Sequence, residues 1–128
     1  MPQPRSTRLV VHEGVHVKRS QLHGWGVFTN KEIKKGDTVE ECVVPYDILP
    51  LDSNALKNYR FVWPSRKKFT GACLPLGFGS IYNHSKGDPN IDWDIDAKER
   101  VVTFTALKDI AAGEELLFDY ASAGMDFM

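Results

Sequence analysis

Short stretches in which hydrophobic and polar residues alternate recur along the chain, and they predict β-strands rather than long helices. The clearest is Ile91–Asp96, in which three hydrophobic residues alternate with three aspartates. Because successive side chains of a strand point to opposite faces, this segment predicts one buried face and one face in water. Similar runs rich in Val, Thr, Phe and Ile predict strands at Leu9–His12, Val15–Arg19, Gly26–Asn30, Thr38–Val44, Val101–Leu107 and Glu115–Tyr120.

Helical patterns are short and few. No segment keeps a 3.6-residue period over several turns, and only Ser53–Tyr59 and Phe78–Asn83 predict a short helix or turn. The pattern acid-Ile-x-x-Gly-acid occurs twice, at Glu32–Asp37 and Asp109–Glu114, and predicts the same kind of glycine turn before two strands. We therefore expect a mainly β protein.

The composition is that of one folded domain without a strong charge bias. The chain has 128 residues, of which 42% are hydrophobic and 26% charged, and its formal net charge is −1. Direct binding to nucleic acid through a general positive charge is therefore not expected. No apolar stretch reaches the roughly 20 residues of a membrane span, and the first residues lack the apolar core of a signal peptide.

Cysteine usage indicates a reducing compartment. The two cysteines, Cys42 and Cys73, form no C-x-x-C pair and are too few for a cysteine zinc site. We expect an intracellular protein, cytoplasmic in a bacterium and nuclear in a eukaryote or virus.

The stretch His12–His16 reads H-E-x-x-H, the motif of zinc metalloproteases. That motif requires a helix, which brings both histidines to one face. Here Gly14 and the surrounding valines favour a strand, on which the two histidines would be about 13 Å apart and unable to share one metal ion. A zinc hydrolase therefore remains only as an alternative, and no metal ligands are predicted.

Three further motifs carry chemistry that local pattern alone leaves open. His23–Phe28 reads H-G-W-G-V-F, and its two glycines let the backbone approach a ligand closely. Asn83–Asn90 begins with three consecutive hydrogen-bonding side chains and ends in Pro-Asn. Gly113–Tyr120 reads G-E-E-L-L-F-D-Y, and the two-residue period of a strand places Phe118 and Tyr120 on the same side.

Together and in this order, the three motifs resemble the SET domain of protein-lysine methyltransferases, in particular the minimal SET proteins of large viruses and bacteria. The resemblance implies several small curved β-sheets and a knot-like crossing of the C-terminal segment, which Pro89 and Asn90 would rigidify. It divides the chain into an N-terminal tail (residues 1–7), a SET domain (8–121) and a short C-terminal segment (122–128). The short C-terminal segment is not expected to form the zinc-binding module that follows many SET domains.

The resemblance also implies a function, the transfer of methyl groups from S-adenosylmethionine to a lysine side chain. It implies Tyr120 as the catalytic residue and Phe118 as a residue that leaves room for di- or trimethylation. The implied cofactor contacts are Gly24, Trp25, Gly26, Asn83, His84 and Phe127. The implied lysine channel is formed by Tyr59, Phe118 and Tyr120.

The implied substrate is a basic, histone-like protein, which the acidic strand Asp92–Asp96 would attract. A homodimer is a further expectation. Two departures from the family pattern, Cys42 in place of a common tyrosine and Lys86 in place of a common cysteine, leave a second interpretation open. In that interpretation the chain is a SET-type module that binds a peptide or cofactor without catalysis.

Overall fold

The computed structural model describes residues 8–22, 24–44 and 61–120. Within these residues the structure contains nine β-strands and no α-helix, which confirms the expected mainly β fold. The strands are β1 (Val15–Arg19), β2 (Trp25–Thr29), β3 (Thr38–Val43), β4 (Phe61–Trp63), β5 (Gly71–Cys73), β6 (Asn83–His84), β7 (Ile91–Asp96), β8 (Val101–Ala106) and β9 (Leu117–Phe118).

The strands form four small sheets rather than one large sheet. Three of them are pairs, β1 with β2, β4 with β5, and β6 with β9, and the fourth has the order β3-β8-β7. Only the β6–β9 pair is parallel. A shared core joins the sheets, since the ring of Phe61 packs edge-on against Trp93 at 5.0 Å and stacks on Phe118 at 5.2 Å. Among the residues described, no helix has the length and apolar character needed to cross a membrane.

Most predicted strands appear within one residue of their expected bounds, but two do not. Leu9–His12 forms a single bridge, between Val11 and Glu40, and lies along the edge of β3 with its apolar side chains exposed. In the predicted strand Glu115–Tyr120, only Leu117–Phe118 pairs as a strand. The predicted short helix or turn at Phe78–Asn83 is a turn that leads into β6. The predicted helix Ser53–Tyr59 and the tail 1–7 lie outside the described residues.

The two copies of the acid-Ile-x-x-Gly-acid pattern lie side by side. Ile33 and Ile110 are fully buried and exchange two backbone hydrogen bonds, of 2.9 and 2.7 Å. The carboxylate of Asp109 in one turn accepts a hydrogen bond from the backbone N–H of Lys35 in the other. The repeated sequence therefore forms a repeated turn, and hydrogen bonds between the two copies stabilise both.

The sheet β3-β8-β7 has the expected buried and wet faces. Ile91 and Trp93 are 1% exposed, whereas Asp94 is exposed. A β-bulge between Thr38 and Glu40 interrupts the alternation in β3. Because a bulge adds one residue to a strand, both Val39 and Glu40 are buried there, and a carboxylate lies on the core face opposite Phe104.

The segment after Gly113 passes between two parts of the fold. On one side the backbone N–H of Leu116 donates to the carbonyl of Val27 in β2, and on the other side β9 pairs with β6. The side chain of Asn90 clamps this segment, since its Nδ2 donates to the carbonyl of Glu115 and its Oδ1 accepts from the N–H of Leu117, both at 2.8 Å. The late segment is therefore fixed from both sides.

We predict that Asn90→Ala lowers the free energy of unfolding by about 2 kcal/mol, because the change leaves a partly buried carbonyl and a partly buried N–H without partners. Urea unfolding monitored by tryptophan fluorescence measures this change. The exposed Asn30 provides a matched control, since Asn30→Ala should change stability by at most about 0.5 kcal/mol. Equal stabilities for the two variants would contradict the clamp.

Candidate active site

Tyr120 is held by hydrogen bonds and ring contacts at the end of the clamped segment. Parallel pairing of His84 with Phe118 brings the residues after β9 next to β6. The hydroxyl of Tyr120 donates to the carbonyl of Tyr82 at 3.0 Å, and its backbone N–H donates to Nδ1 of His84 at 2.9 Å. Its ring also packs on the ring of Phe118 at 5.0 Å. The phenol therefore has a defined position immediately beside Asn83.

His84 supports Tyr120 through its side chain, which the sequence did not indicate. Its Nδ1 accepts the hydrogen bond from the backbone N–H of Tyr120. The two rings lie 4.7 Å apart at a tilt of 40°. His84 thus fixes both the backbone and one ring face of the tyrosine.

The glycine segment lies against the same strand. Gly24 has φ = +48°, a value that favours glycine, and its carbonyl accepts a hydrogen bond from Ser20. Gly26 is buried, and a Cβ atom there would overlap the carboxylate of Glu115 and crowd the amide of Asn83. The two glycines therefore allow a turn and a close approach of β2 to β6.

A carboxylate joins these segments. Oε2 of Glu115 accepts from Nδ2 of Asn83 at 2.7 Å, and Oε1 accepts from the hydroxyl of Ser20 at 2.8 Å. Nδ2 of Asn83 also donates to the carbonyl of Trp25 at 3.3 Å. Sequence reasoning missed Glu115 and Ser20. The only signal was the position of Glu115 inside the G-E-E-L motif, where an acid enters a largely buried segment.

The indole of Trp25 lies at the rim of this network. It is 55% exposed, and the guanidinium of Arg19 lies 4.5 Å from the centre of its ring. An aromatic ring with one face against a cation and much of its surface in water is suited to stacking on a flat ligand.

The residues that meet here offer hydrogen-bond acceptors and an aromatic ring to a small ligand. A Cβ atom on Gly24 would meet no heavy atom of the described residues within 4 Å, apart from its own chain neighbours. The carboxylate of Glu115 and the carbonyl of Trp25 are acceptors of the kind that an ammonium group requires, and the Trp25 ring can cover part of a purine. Gly24, Trp25, Gly26 and Asn83 therefore form one surface, adjacent to Tyr120.

The remaining predicted site residues have different surroundings. Phe118 is 1% exposed and belongs to the aromatic core, where it touches Tyr120 and stacks on Phe61. Its influence on the product stays a prediction. Tyr59 and Phe127, predicted for the lysine channel and the cofactor, lie outside the described residues.

The H-E-x-x-H stretch does not form the helix that a zinc protease needs. His12 precedes a turn, and His16 lies in β1, where its Nδ1 and the carbonyl of Gly14 form a hydrogen bond of 2.9 Å. In the described part of the chain, no group of three or more His, Cys, Asp or Glu side chains is placed to bind a metal ion. The zinc hydrolase alternative has no structural support.

Both cysteine thiols are buried and unsuited to nucleophilic chemistry. Burial raises the pKa of the Cys73 thiol to about 12. Burial, reinforced by the neighbouring carboxyl of Glu40, also raises the pKa of Cys42. Because the thiolate is the reactive form, neither residue is a candidate nucleophile.

Comparison with known proteins identifies one family. The model described as "SET domain" matches residues 24–121 of this chain. In sequence, the chain is 25% identical over 120 residues to a histone-lysine N-methyltransferase of Schizosaccharomyces pombe described as H3 lysine-37 specific, covering 87% of this chain and 76% of the relative. It is 29% identical over 121 residues to the mouse histone-lysine N-methyltransferase NSD3, covering 86% of this chain but 8% of that protein.

Solved structures give the same result. A candidate histone methyltransferase of Plasmodium falciparum superimposes with a TM-score of 0.63 at 27% identity, covering 86% of this chain and 95% of that one. A chain of the Chaetomium thermophilum Polycomb Repressive Complex 2 also superimposes with a TM-score of 0.63 at 27% identity, covering 85% of this chain and 15% of that one. The chain thus spans most of some relatives and a small part of others.

We predict that a water-soluble disulfide reagent labels neither cysteine of the native protein at pH 8. With a pKa of about 12, the thiolate fraction of Cys73 at this pH is about 10⁻⁴, whereas an ordinary cysteine is roughly one quarter thiolate. Both thiols should react at once in denaturant, and the slow native rate should rise about tenfold per pH unit. Rapid native labelling at pH 8 would contradict the burial of the thiols.

Proposed function

Because the chain belongs to the SET-domain family, we propose that it is an S-adenosylmethionine-dependent methyltransferase that acts on lysine side chains of a basic, histone-like protein. The observation that carries the proposal is the position of Tyr120, whose phenol is bonded to Tyr82 directly beside the Asn83–Trp25 contact. The names of the relatives, several of which are histone-lysine methyltransferases, support the reaction class.

The hydrogen bonds of Tyr120 suggest how the phenol acts. Lysine must react as a neutral amine, although its reference pKa is about 10.4. The hydroxyl hydrogen of Tyr120 is committed to the carbonyl of Tyr82, so toward an amine the phenol oxygen acts as an acceptor. An acceptor at this point orients the N–H bonds and thereby the nitrogen lone pair. Bound S-adenosylmethionine supplies an electrophilic methyl group on a positively charged sulfur.

The acidic strand supports a basic substrate. Asp92, Asp94 and Asp96 share a groove of about 580 Å³ on the outer face of β7 and β8 with Thr103 and Thr105. A row of carboxylates raises the local concentration of cationic protein segments at low salt. Within the described residues, Arg66 pairs with Asp92 at the rim and partly offsets this charge.

The two departures from the family pattern do not interrupt the site. Cys42 is buried in the core beside Glu40, and none of the hydrogen bonds and ring contacts of Tyr120 described above involves it. Lys86 is exposed in the bend after β6. Neither position therefore favours a non-catalytic module over an enzyme.

We predict that Tyr120→Phe lowers the rate of methyl transfer by about 100-fold or more, because the acceptor for the amine is lost. The measurement is transfer of a radioactive methyl group from S-adenosylmethionine to a mixture of histones. Calorimetry should show cofactor affinity within about threefold of the wild type, since the ring and its backbone contact with His84 remain.

A wild-type protein that binds the cofactor but labels neither histones nor other basic proteins would instead support the binding module. A Tyr120→Phe variant with undiminished transfer would remove Tyr120 from the reaction. A protein that neither binds the cofactor nor transfers a methyl group would refute the proposed function as a whole.

We further predict that the wild type adds two or three methyl groups to one lysine and that Phe118→Tyr shifts the product toward monomethyl-lysine. The Phe118 ring packs on the ring of Tyr120, so we expect an added hydroxyl to reduce the room beside Tyr120 for a methylated amine. Mass spectrometry of a peptide taken to completion distinguishes the products. A wild-type reaction that stops at monomethyl-lysine would contradict the prediction.

A further inference from the structure

Glu40 is a carboxylate in the hydrophobic core, and nothing in the proposed chemistry yet uses it. It is 2% exposed and lies on the core face of β3 opposite Phe104. Burying a charged or polar group is costly unless its hydrogen bonds are satisfied, and a hydrophobic side chain would fill this place at less cost. Packing alone therefore does not explain a glutamate at this position.

Each oxygen of Glu40 accepts a hydrogen bond from the loop that precedes β6. Oε1 accepts from the hydroxyl of Tyr82 at 2.6 Å, and Oε2 accepts from the backbone N–H of Phe78 at 2.8 Å. Gly77, with φ = +96°, makes room for the carboxylate, because a Cβ atom there would overlap Oε2. The loop is thus shaped around Glu40.

Tyr82 links this buried carboxylate to the active-site tyrosine. Its ring packs on Phe104 with centres 4.6 Å apart, its phenol donates to Glu40, and its backbone carbonyl accepts the hydroxyl of Tyr120. With the ring and the phenol both fixed, the carbonyl that orients Tyr120 has little freedom. Glu40 and Tyr120 are therefore connected through one residue.

We propose that Glu40 is a positioning residue, which acts through Tyr82 to hold the phenol of Tyr120 in the geometry required for methyl transfer. The kinetic consequence of this inference rests on the proposed function, whereas the link from Glu40 through Tyr82 to Tyr120 does not. Burial, with Glu40 adding to it, raises the pKa of Tyr82 well above its ordinary value, so Tyr82 remains a hydrogen-bond donor at any working pH.

The first test reads the position of Tyr120 without any reaction. The chain has four tyrosines, so protein labelled with ¹³C at the tyrosine Cζ gives four signals, which single Tyr→Phe variants assign. Glu40→Ala should shift the signal of Tyr82 and also that of Tyr120. Glu40→Gln should shift the Tyr120 signal less than Glu40→Ala does, because the glutamine oxygen can accept from Phe78 and its amide can donate to the Tyr82 oxygen, although the Tyr82 hydroxyl then loses its acceptor. An unmoved Tyr120 signal in folded Glu40→Ala would overturn the proposal.

The second test is kinetic. Glu40→Ala should lower kcat by about 100-fold, since a misplacement of about 1 Å can cost that much, while KM for cofactor and peptide changes by at most about threefold. Glu40→Gln should recover most of kcat. Tyr82→Phe should lower kcat as well. Adding Glu40→Ala to the Tyr82→Phe variant should lower kcat by a smaller factor than Glu40→Ala does in the wild type, because both residues act on Tyr120 through Tyr82.

Ile33→Ala provides the matched control for a general loss of stability. Ile33 is fully buried and pairs with Ile110, away from the Tyr120 contacts, so its truncation should lower Tm without moving the Tyr120 signal or kcat measured well below Tm. If Ile33→Ala lowers kcat as much as Glu40→Ala does, or if Glu40→Gln recovers nothing, Glu40 is merely structural.

The two proposals fail in different ways. A wild type without methyl transfer, in which Glu40→Ala still moves the Tyr120 signal, would refute the enzymatic function and keep the structural link. An active wild type in which Glu40→Ala leaves both kcat and the Tyr120 signal unchanged would refute the link and keep the function.

Discussion

The parallel pairing of β6 with β9 is the constraint on which the site depends. These strands are two residues long, and Asn83 and Glu115 are 32 residues apart in sequence. So short a pair needs support from elsewhere, and the Asn90 side chain and the hydrogen bond from Leu116 to β2 provide it. Because each support holds the same segment, losing one weakens the position of every residue from Glu115 to Tyr120.

Polar side chains inside the molecule serve this arrangement. Glu115 joins Ser20, Asn83 and, through Asn83, the carbonyl of Trp25, while Glu40 holds the loop before β6. A carboxylate that is wholly or partly removed from water is tolerated where each oxygen has a donor, and both the buried Glu40 and the half-buried Glu115 meet that condition. The hydrophobic core provides stability, whereas these two carboxylates determine how the chain segments of the site are positioned relative to one another.

Much of the fold followed from local pattern, and parts of the site did not. The strands β1 and β7 matched their predicted bounds, and in the first four residues of β7 the alternation of hydrophobic and polar residues reflects the alternation of burial. Leu9–His12 failed as a strand because it forms a single bridge to β3, beside the bulge of that strand, and local propensity does not reveal how far pairing extends. Glu40 could not be assigned to the core, since the bulge that turns it inward depends on pairing with β8. The role of Glu115 depends on its contacts with Ser20 and Asn83, and no spacing in the sequence indicates that these three residues meet.

The clamped segment lies late in the sequence, and this order has a consequence for synthesis on the ribosome. Residues 24–26 and 83–84 are made well before Glu115, yet Asn83 has neither its carboxylate partner nor its strand neighbour until the last part of the domain emerges. A nascent chain halted before that point would contain both earlier segments, joined by the long hydrogen bond from Asn83 to the carbonyl of Trp25 but without the carboxylate and the strand that fix Asn83. Competence for ligand binding would then arise in one late step, as the final strand enters between its neighbours, rather than growing gradually with chain length.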